Sequence, residues 1–195
     1  MTLVRVRALG FTLGAIVGVA AALGVWIRAP LPPDLTAAPA RPSLVLEDRN
    51  GLVLRSTRAG DGGLQRWLAL GDMDPDLLQA FIAAEDRRFY QHGGVDLRAA
   101  GRALLQNLRA GRVRSGASTI TMQLARILRP SGRTWRGKFV QAAWALRLEH
   151  HLSKQEILEQ YLNRVPLGQG TVGVGAGAEL YFNASAARLS LGPDP

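Results

Sequence analysis

The chain contains no cysteine, which excludes disulfides and thiolate metal sites and leaves the redox compartment unsignalled. Lysine is almost missing as well. Lys138 and Lys154 are the only two among 24 basic residues, the rest being arginine, a bias that a GC-rich genome also produces. No segment repeats another, and no histidine–carboxylate cluster has the spacing of a metal site. A hard divalent cation, which needs few protein ligands, is still compatible with the Asp and Glu present. Charged residues make up only 20% of the 195 and hydrophobic ones 47%, so the chain is expected to bury a core.

What is abundant is positive charge. The formal net charge is +9, which calls for an anionic partner such as nucleic acid, acidic phospholipid or a pyrophosphate. The N-terminus narrows that choice. Ala8 to Ile27 is an uncharged apolar run of twenty residues, with Arg5 and Arg7 before it and Arg28 after it. Such a helix spans about 30 Å, a bilayer core, and exceeds the roughly 7–15 apolar residues of a cleaved signal. Residues 1–28 are therefore expected to be a cytoplasmic tip and membrane anchor, with the remainder outside. That placement argues against nucleic acid as the partner.

Residues 29–42 carry five prolines and predict an extended linker, leaving 43–195 as the folded domain. Two short apolar runs around Asn50-Gly51 predict a β-hairpin. Beyond Asp74 the pattern is helical. Asp74 with Pro75, Asp96, Ser118 and Thr134 are each placed to begin a helix, and Ser153 with Glu156 spells a capping box. Apolar stripes follow at helical spacing: Leu77, Leu78, Phe81 and Ile82; Leu97, Ala100, Leu104 and Leu108; Trp135, Phe139, Ala142, Ala143 and Leu146. The stretch 166–182 is dense in glycine and weakly helical.

Glu85 stands out chemically. It falls four residues after Phe81, three after Ile82 and four before Phe89, which predicts a carboxylate on an apolar helix face. Burial raises a carboxyl pKa and makes it a general base, although pairing with Arg87 or Arg88 fits the same pattern. Asp86 could flank the same cleft. Glu149 continues the Trp135–Leu146 stripe and, beside His150 and His151, reads first as a structural bridge. His92 in the turn QHGG is a further candidate that reads first as a hydrogen-bonding or solvated loop residue. The loop 109–118, with Arg112 and Arg114, runs into a helix start bearing Ser118 and Thr119, with Arg126 two turns on. Backbone N–H groups and guanidinium groups there suit a phosphate or pyrophosphate.

Taken together and in order, these stretches resemble the peptidoglycan glycosyltransferase family shared by class A penicillin-binding proteins and monofunctional transglycosylases. Glu85-Asp86-Arg87-Arg88-Phe89-Tyr90-Gln91-His92-Gly93-Gly94 is similar to its first motif, EDxxFxxHxG. Gly116 to Arg126 is similar to the second, GxSTxTQQ followed by a basic residue. Lys154 to Asn163 is similar to KxxILxxYLN, and Pro166 to Phe182 follows the glycine-rich fifth motif. The resemblance implies a mainly α, lysozyme-like domain with a small β-hairpin at its start and an N-terminal transmembrane helix. It implies polymerisation of lipid II into β-1,4 glycan strands with release of undecaprenyl pyrophosphate. Glu85 would be the general base, with Asp86 beside it. Phe89, His92, Ser118, Thr119, Gln123, Arg126, Arg136, Lys138 and Asn163 would contact substrate.

The resemblance also implies a divalent cation, Mg or Mn, as the candidate cofactor, and no organic cofactor. Its implied partners are lipid II, the growing lipid-linked glycan chain, the inner membrane and other wall-synthesis proteins. The implied location is single-pass in the inner membrane, with the domain on the periplasmic side. Three departures stand out. The third motif, RKxxE, aligns with Gly137-Lys138-Phe139-Val140-Gln141, so Gln141 occupies the position of the usual second acid and Arg136 stands in for the displaced arginine. Met122 replaces a glutamine. Both changes are shared with the penicillin-binding protein 1C branch. The chain also stops early and has no S-x-x-K motif, the expectation being a domain short at its C-terminus without a transpeptidase. The alternatives are an inactive membrane-bound scaffold and a lysozyme-like wall-cleaving enzyme.

Overall fold

A computed structural model describes residues 2–38, 43, 45–49, 53–56, 63–112, 116–132 and 134–189. Helices dominate: α1 (Thr2–Arg28), α2 (Pro75–Glu85), α3 (Leu97–Ala110), α4 (Ile120–Leu128), α5 (Trp135–His151), α6 (Lys154–Leu162) and α7 (Val174–Phe182). The strands are short: β1 (Val45–Glu47), β2 (Val53–Ser56), β3 (Leu64–Gln65), β4 (Pro166–Gly168) and β5 (Thr171–Val172).

Local chemistry accounts for most helix starts. The Asp74 carboxylate accepts the Asp76 N–H with Pro75 next in line, and Asp96 accepts the Ala99 N–H. Thr134 caps α5, and the Ser153–Glu156 capping box opens α6 in both directions. Each such cap satisfies a donor that the helix leaves unpaired and is worth about 1 kcal/mol. One start differs from expectation. Thr119, not Ser118, caps α4, because its hydroxyl is the one that reaches the Met122 N–H.

β1 and β2 pair antiparallel, as the hairpin pattern predicts, while Asn50 and Gly51 lie outside the described residues. A second sheet, in the order β3-β5-β4, was not visible in the sequence. β3 pairs parallel with β5, and β4 pairs antiparallel with it. Gly173, at φ +81°, turns the chain from β5 into α7, and a Cβ there would sit 2.6 Å from the Asn163 carbonyl oxygen.

The core gathers Phe89, Ile120, Leu124, Leu148, Ile157 and Leu162, with the predicted α2 face of Leu77, Leu78, Phe81 and Ile82 packed against it. α4 is the central helix, lying against α5 and α6. The stripe expected to bury α5 does not. Its inward face is Gly137, Gln141, Ala145 and Leu148, while Trp135 is 82% exposed and Phe139 71%. Where α5 begins the fit admits only glycine: a Cβ on Gly137 would fall 1.9 Å from the Gly132 carbonyl oxygen. On α3 likewise, Leu97, Leu104 and Leu108 are exposed and only Ala103 is buried.

Among the described residues no helix is long and apolar enough to cross a membrane. In α1, only the side chains from residue 14 to 28 are described, a stretch shorter than the roughly 20 residues a span requires. The C-terminal end of α1 is held on the domain. Arg147 donates to the Ala29 and Pro30 carbonyls and lies over the Trp26 and Trp144 rings, which meet edge to face at 4.9 Å. His151 Nε2 donates to the Ile27 carbonyl. Beyond it, Leu35 is buried in the core and Arg164 donates to the Ala37 carbonyl, so residues 29–38 run along the domain.

Candidate active site

α2 ends at Glu85, and the backbone turns sharply at Asp86 (φ −158°, ψ 75°). That turn corrects the expectation for Glu85. Phe89 belongs to the following 3-10 turn, so the i+4 relation to it does not hold, and the Glu85 side chain is exposed rather than buried. Its Oε2 accepts a hydrogen bond of 2.8 Å from the Gln123 amide on α4. Gln123 Oε1 in turn accepts the Tyr161 hydroxyl at 3.1 Å, from α6. Tyr161 is buried, and its phenol pKa is pushed up to about 12, first by desolvation and then by the Glu85 charge, with Arg126 opposing. The arginines next to Glu85 go elsewhere: Arg87 donates to the Ala83 carbonyl and Arg88 lies 3.6 Å from Asp96.

Asp86 is the buried member of the pair, and it points inward instead of flanking a cleft beside Glu85. Its Oδ2 accepts the Ile120 N–H at the start of α4 and His92 Nε2, at 3.1 and 3.0 Å. A carboxylate at a helix N-terminus is favoured by the helix dipole as well as by the bond. His92 Nδ1 accepts the Gly94 N–H, so the neutral ring protonated on Nε2 satisfies both contacts. The Thr119 hydroxyl donates to the Gly94 carbonyl at 2.6 Å. Gly94 itself sits at φ +92°, where a Cβ would lie 2.9 Å from the Ala145 carbonyl oxygen. Asp96 closes the turn: desolvation opposes its charge, but the Ala99 N–H bond and the Arg88 guanidinium hold its carboxyl below the usual range.

Glu149 is a structural bridge, though to different partners than His150 and His151. Its Oε1 accepts the Thr121 hydroxyl and the Lys154 ammonium, both at 2.7 Å. Lys154 also donates to the His92 carbonyl at 2.7 Å and stands 4.4 Å from the Phe89 ring centroid. Phe89 is fully buried beneath these groups. Asp86, Phe89, His92 and Thr119 thus form an inner frame that fixes the end of α2 against the start of α4.

The outward-facing groups lie along α4 and the start of α5. Arg126 is one turn beyond Gln123 and exposed. Its charge is felt both by Tyr161 and by Lys138, whose ammonium is held below its ordinary pKa first by desolvation and then by Arg126. Lys138 donates to the Ser118 hydroxyl. Along α4 the Glu85 carboxylate is thus bonded at Gln123, Arg126 follows one turn on, and Lys138 is held at Ser118 ahead of the helix start. Arg136 is exposed one residue into α5, and Arg112 is exposed on the basic loop, whose Arg114 is outside the described residues.

Two expected site residues are turned away from this face. Gln141 is buried, and its amide donates to the Ser131 hydroxyl in the turn before α5. Asn163 is fully buried at the end of α6, exchanging hydrogen bonds with both backbone groups of Leu68. Tyr161, Lys154 and Thr121 were missed as site residues. The chain's only two lysines both fall in this region, and that scarcity was the available signal.

The described helices thus carry an exposed, amide-held glutamate and, along the same region, the exposed cations Arg126 and Lys138. Residues 51–192 match the family model described as Transglycosylase, and the chain belongs to that family. It is similar to penicillin-binding protein 1C of Escherichia coli (strain K12), 44% identical over 149 residues, covering 76% of this chain and 19% of the relative. It is also similar to penicillin-binding protein 2D of Bacillus subtilis (strain 168), 39% identical over 194 residues, covering 97% of this chain and 28% of the relative. The similarity to penicillin-binding protein 1A of Neisseria cinerea is 46% over 123 residues, 63% of this chain and 15% of the relative. The chain spans less than a third of the length of these curated relatives.

Proposed function

We propose that this chain is a peptidoglycan glycosyltransferase that extends glycan strands from lipid II. The observation that carries the reading is Glu85: an exposed carboxylate whose Oε2 is fixed by Gln123, within a chain of the transglycosylase family. In the proposed step Glu85 accepts the proton of the acceptor sugar's 4-hydroxyl. The freed oxygen attacks the donor's anomeric carbon, and the bond from that carbon to pyrophosphate breaks with inversion. Undecaprenyl pyrophosphate leaves with the bonding pair. Arg126 and Lys138 face the negative charge that develops on it, and guanidinium and ammonium groups already in place need no reorganisation at that moment.

Among the described residues, none are grouped to hold a cation. Both Asp86 oxygens lie on His92, Gln141 is bonded to Ser131, and among the described residues no group of three or more His, Asp or Glu could hold a metal ion. A Mg or Mn ion would arrive on the substrate's phosphates, and no step here is assigned to it.

In this reading α1 is a single-pass anchor in the inner membrane and the domain is periplasmic. The twenty-residue apolar run Ala8–Ile27 supports it. So do the exposed Leu97, Leu104 and Leu108 of α3 and the exposed Trp135 and Phe139 of α5, which suit contact with lipid. Parallel incubations with labelled lipid II and with finished peptidoglycan test the function. Glycan strands grown from lipid II are expected; soluble muropeptides released from finished peptidoglycan would identify a wall-cleaving enzyme instead.

A further inference from the structure

We propose that Tyr161 is a positioning residue for the transfer step, fixing through the Gln123 amide which way Glu85 is held. The inference rests on the reading of Glu85 as the base and adds to it a group that touches no substrate.

Tyr161 lies in α6 with Ile157, Leu158 and Leu162, all buried, and sequence spacing alone makes it one more core residue. Its hydroxyl nevertheless ends on Gln123 Oε1 at 3.1 Å, and the other end of that amide ends on Glu85 at 2.8 Å. An amide offers a donor edge and an acceptor edge, and a half-turn about its last bond exchanges them. An ionised Glu85 requires the NH2 edge. The Tyr161 O–H secures that edge by occupying the oxygen at the far end. Burial keeps the phenol protonated and donating, consistent with its pKa of about 12. The hydroxyl can also accept. Once Glu85 has taken the acceptor's proton, the carboxyl O–H can donate to Gln123 Oε1 while the turned NH2 donates to Tyr161. The chain from α6 through α4 to the end of α2 thus has a satisfied arrangement before and after proton transfer. Phenylalanine supplies neither.

The test is a cycle of Tyr161→Phe, Gln123→Leu and the double variant in the lipid II polymerisation assay, with Glu85→Gln alongside. Tyr161→Phe should lower kcat about tenfold with KM unchanged, a smaller loss than the roughly hundredfold of outright misplacement. The double variant should be no worse than Gln123→Leu alone, because the hydroxyl acts only through the amide. Equal losses from Tyr161→Phe in both backgrounds, a rise in KM alone, or wild-type kcat would overturn the proposal. Should the buried substitution unfold the protein, Gln123→Leu decides: it removes the hydrogen-bonded route from Tyr161 to Glu85, so wild-type kcat there would overturn the proposal. Failure of the underlying reading looks different, since Glu85→Gln would then retain activity whatever Tyr161 does.

Discussion

Asn163→Ala separates a frame residue from a substrate contact. Asn163 stands where the family resemblance expects substrate binding, yet its side chain has no access to solvent. Its Oδ1 accepts the Leu68 N–H at 2.8 Å, and Nδ2 donates to the Leu68 and Glu159 carbonyls at 2.8 and 2.9 Å. These bonds tie the strand-like segment after β3 to the end of α6. Alanine removes all three and leaves the Leu68 N–H and carbonyl without their partner. Leu68 is only half-buried, so the lower figure of about 1 kcal/mol per bond applies, and the total is about 3 kcal/mol. For a chain of this size that is a fall of about 6–12 °C in Tm. Thermal unfolding in detergent measures it, and polymerisation of lipid II by the folded fraction should keep its KM. Asn163→Asp should recover little, since a carboxylate keeps the Leu68 N–H but faces two carbonyls. A Tm within about 1 °C of wild type, or a rise in KM without loss of stability, would refute the reasoning.

Two further outcomes follow from the frame. Gly94→Ala places a Cβ 2.9 Å from the Ala145 carbonyl at φ +92°, so it should destabilise the protein by about 2 kcal/mol or more and lower activity with it, as chemical denaturation and the polymerisation rate would report. Tyr161 has a folded pKa of about 12 against an ordinary 10.0, so its contribution is complete below pH 10 and is lost as pH rises through 12. Unfolding followed from pH 9 to 12 should therefore show a loss of up to about 3 kcal/mol that Tyr161→Phe lacks.

Capping chemistry was the most legible layer of this sequence. Asp74 with Pro75, Asp96, Thr134 and the Ser153–Glu156 pair all start helices where their side chains predict, because such signals act within one turn. The direction of a helix was less legible. Periodicity finds an apolar stripe but does not say what covers it, and on α5 the face of Gly137, Gln141, Ala145 and Leu148 went inward while Trp135 and Phe139 stayed outside. Strands of two or three residues, such as β3 and β5, carry no pattern of their own. Glu85 shows the limit most clearly. Helical spacing singled it out on a stripe that ends with the helix one residue before Asp86, and the burial that spacing predicted does not exist.

The proposed transfer turns on that carboxylate. The direct measurement compares lipid II polymerisation by the wild-type chain and by Glu85→Gln, with circular dichroism and Tm taken on both. Strand growth by wild type is expected, with a loss of about 10²–10⁴-fold in kcat for the variant and its fold unchanged. Equal rates from the two folded proteins would contradict it, and equally absent activity would point to a scaffold.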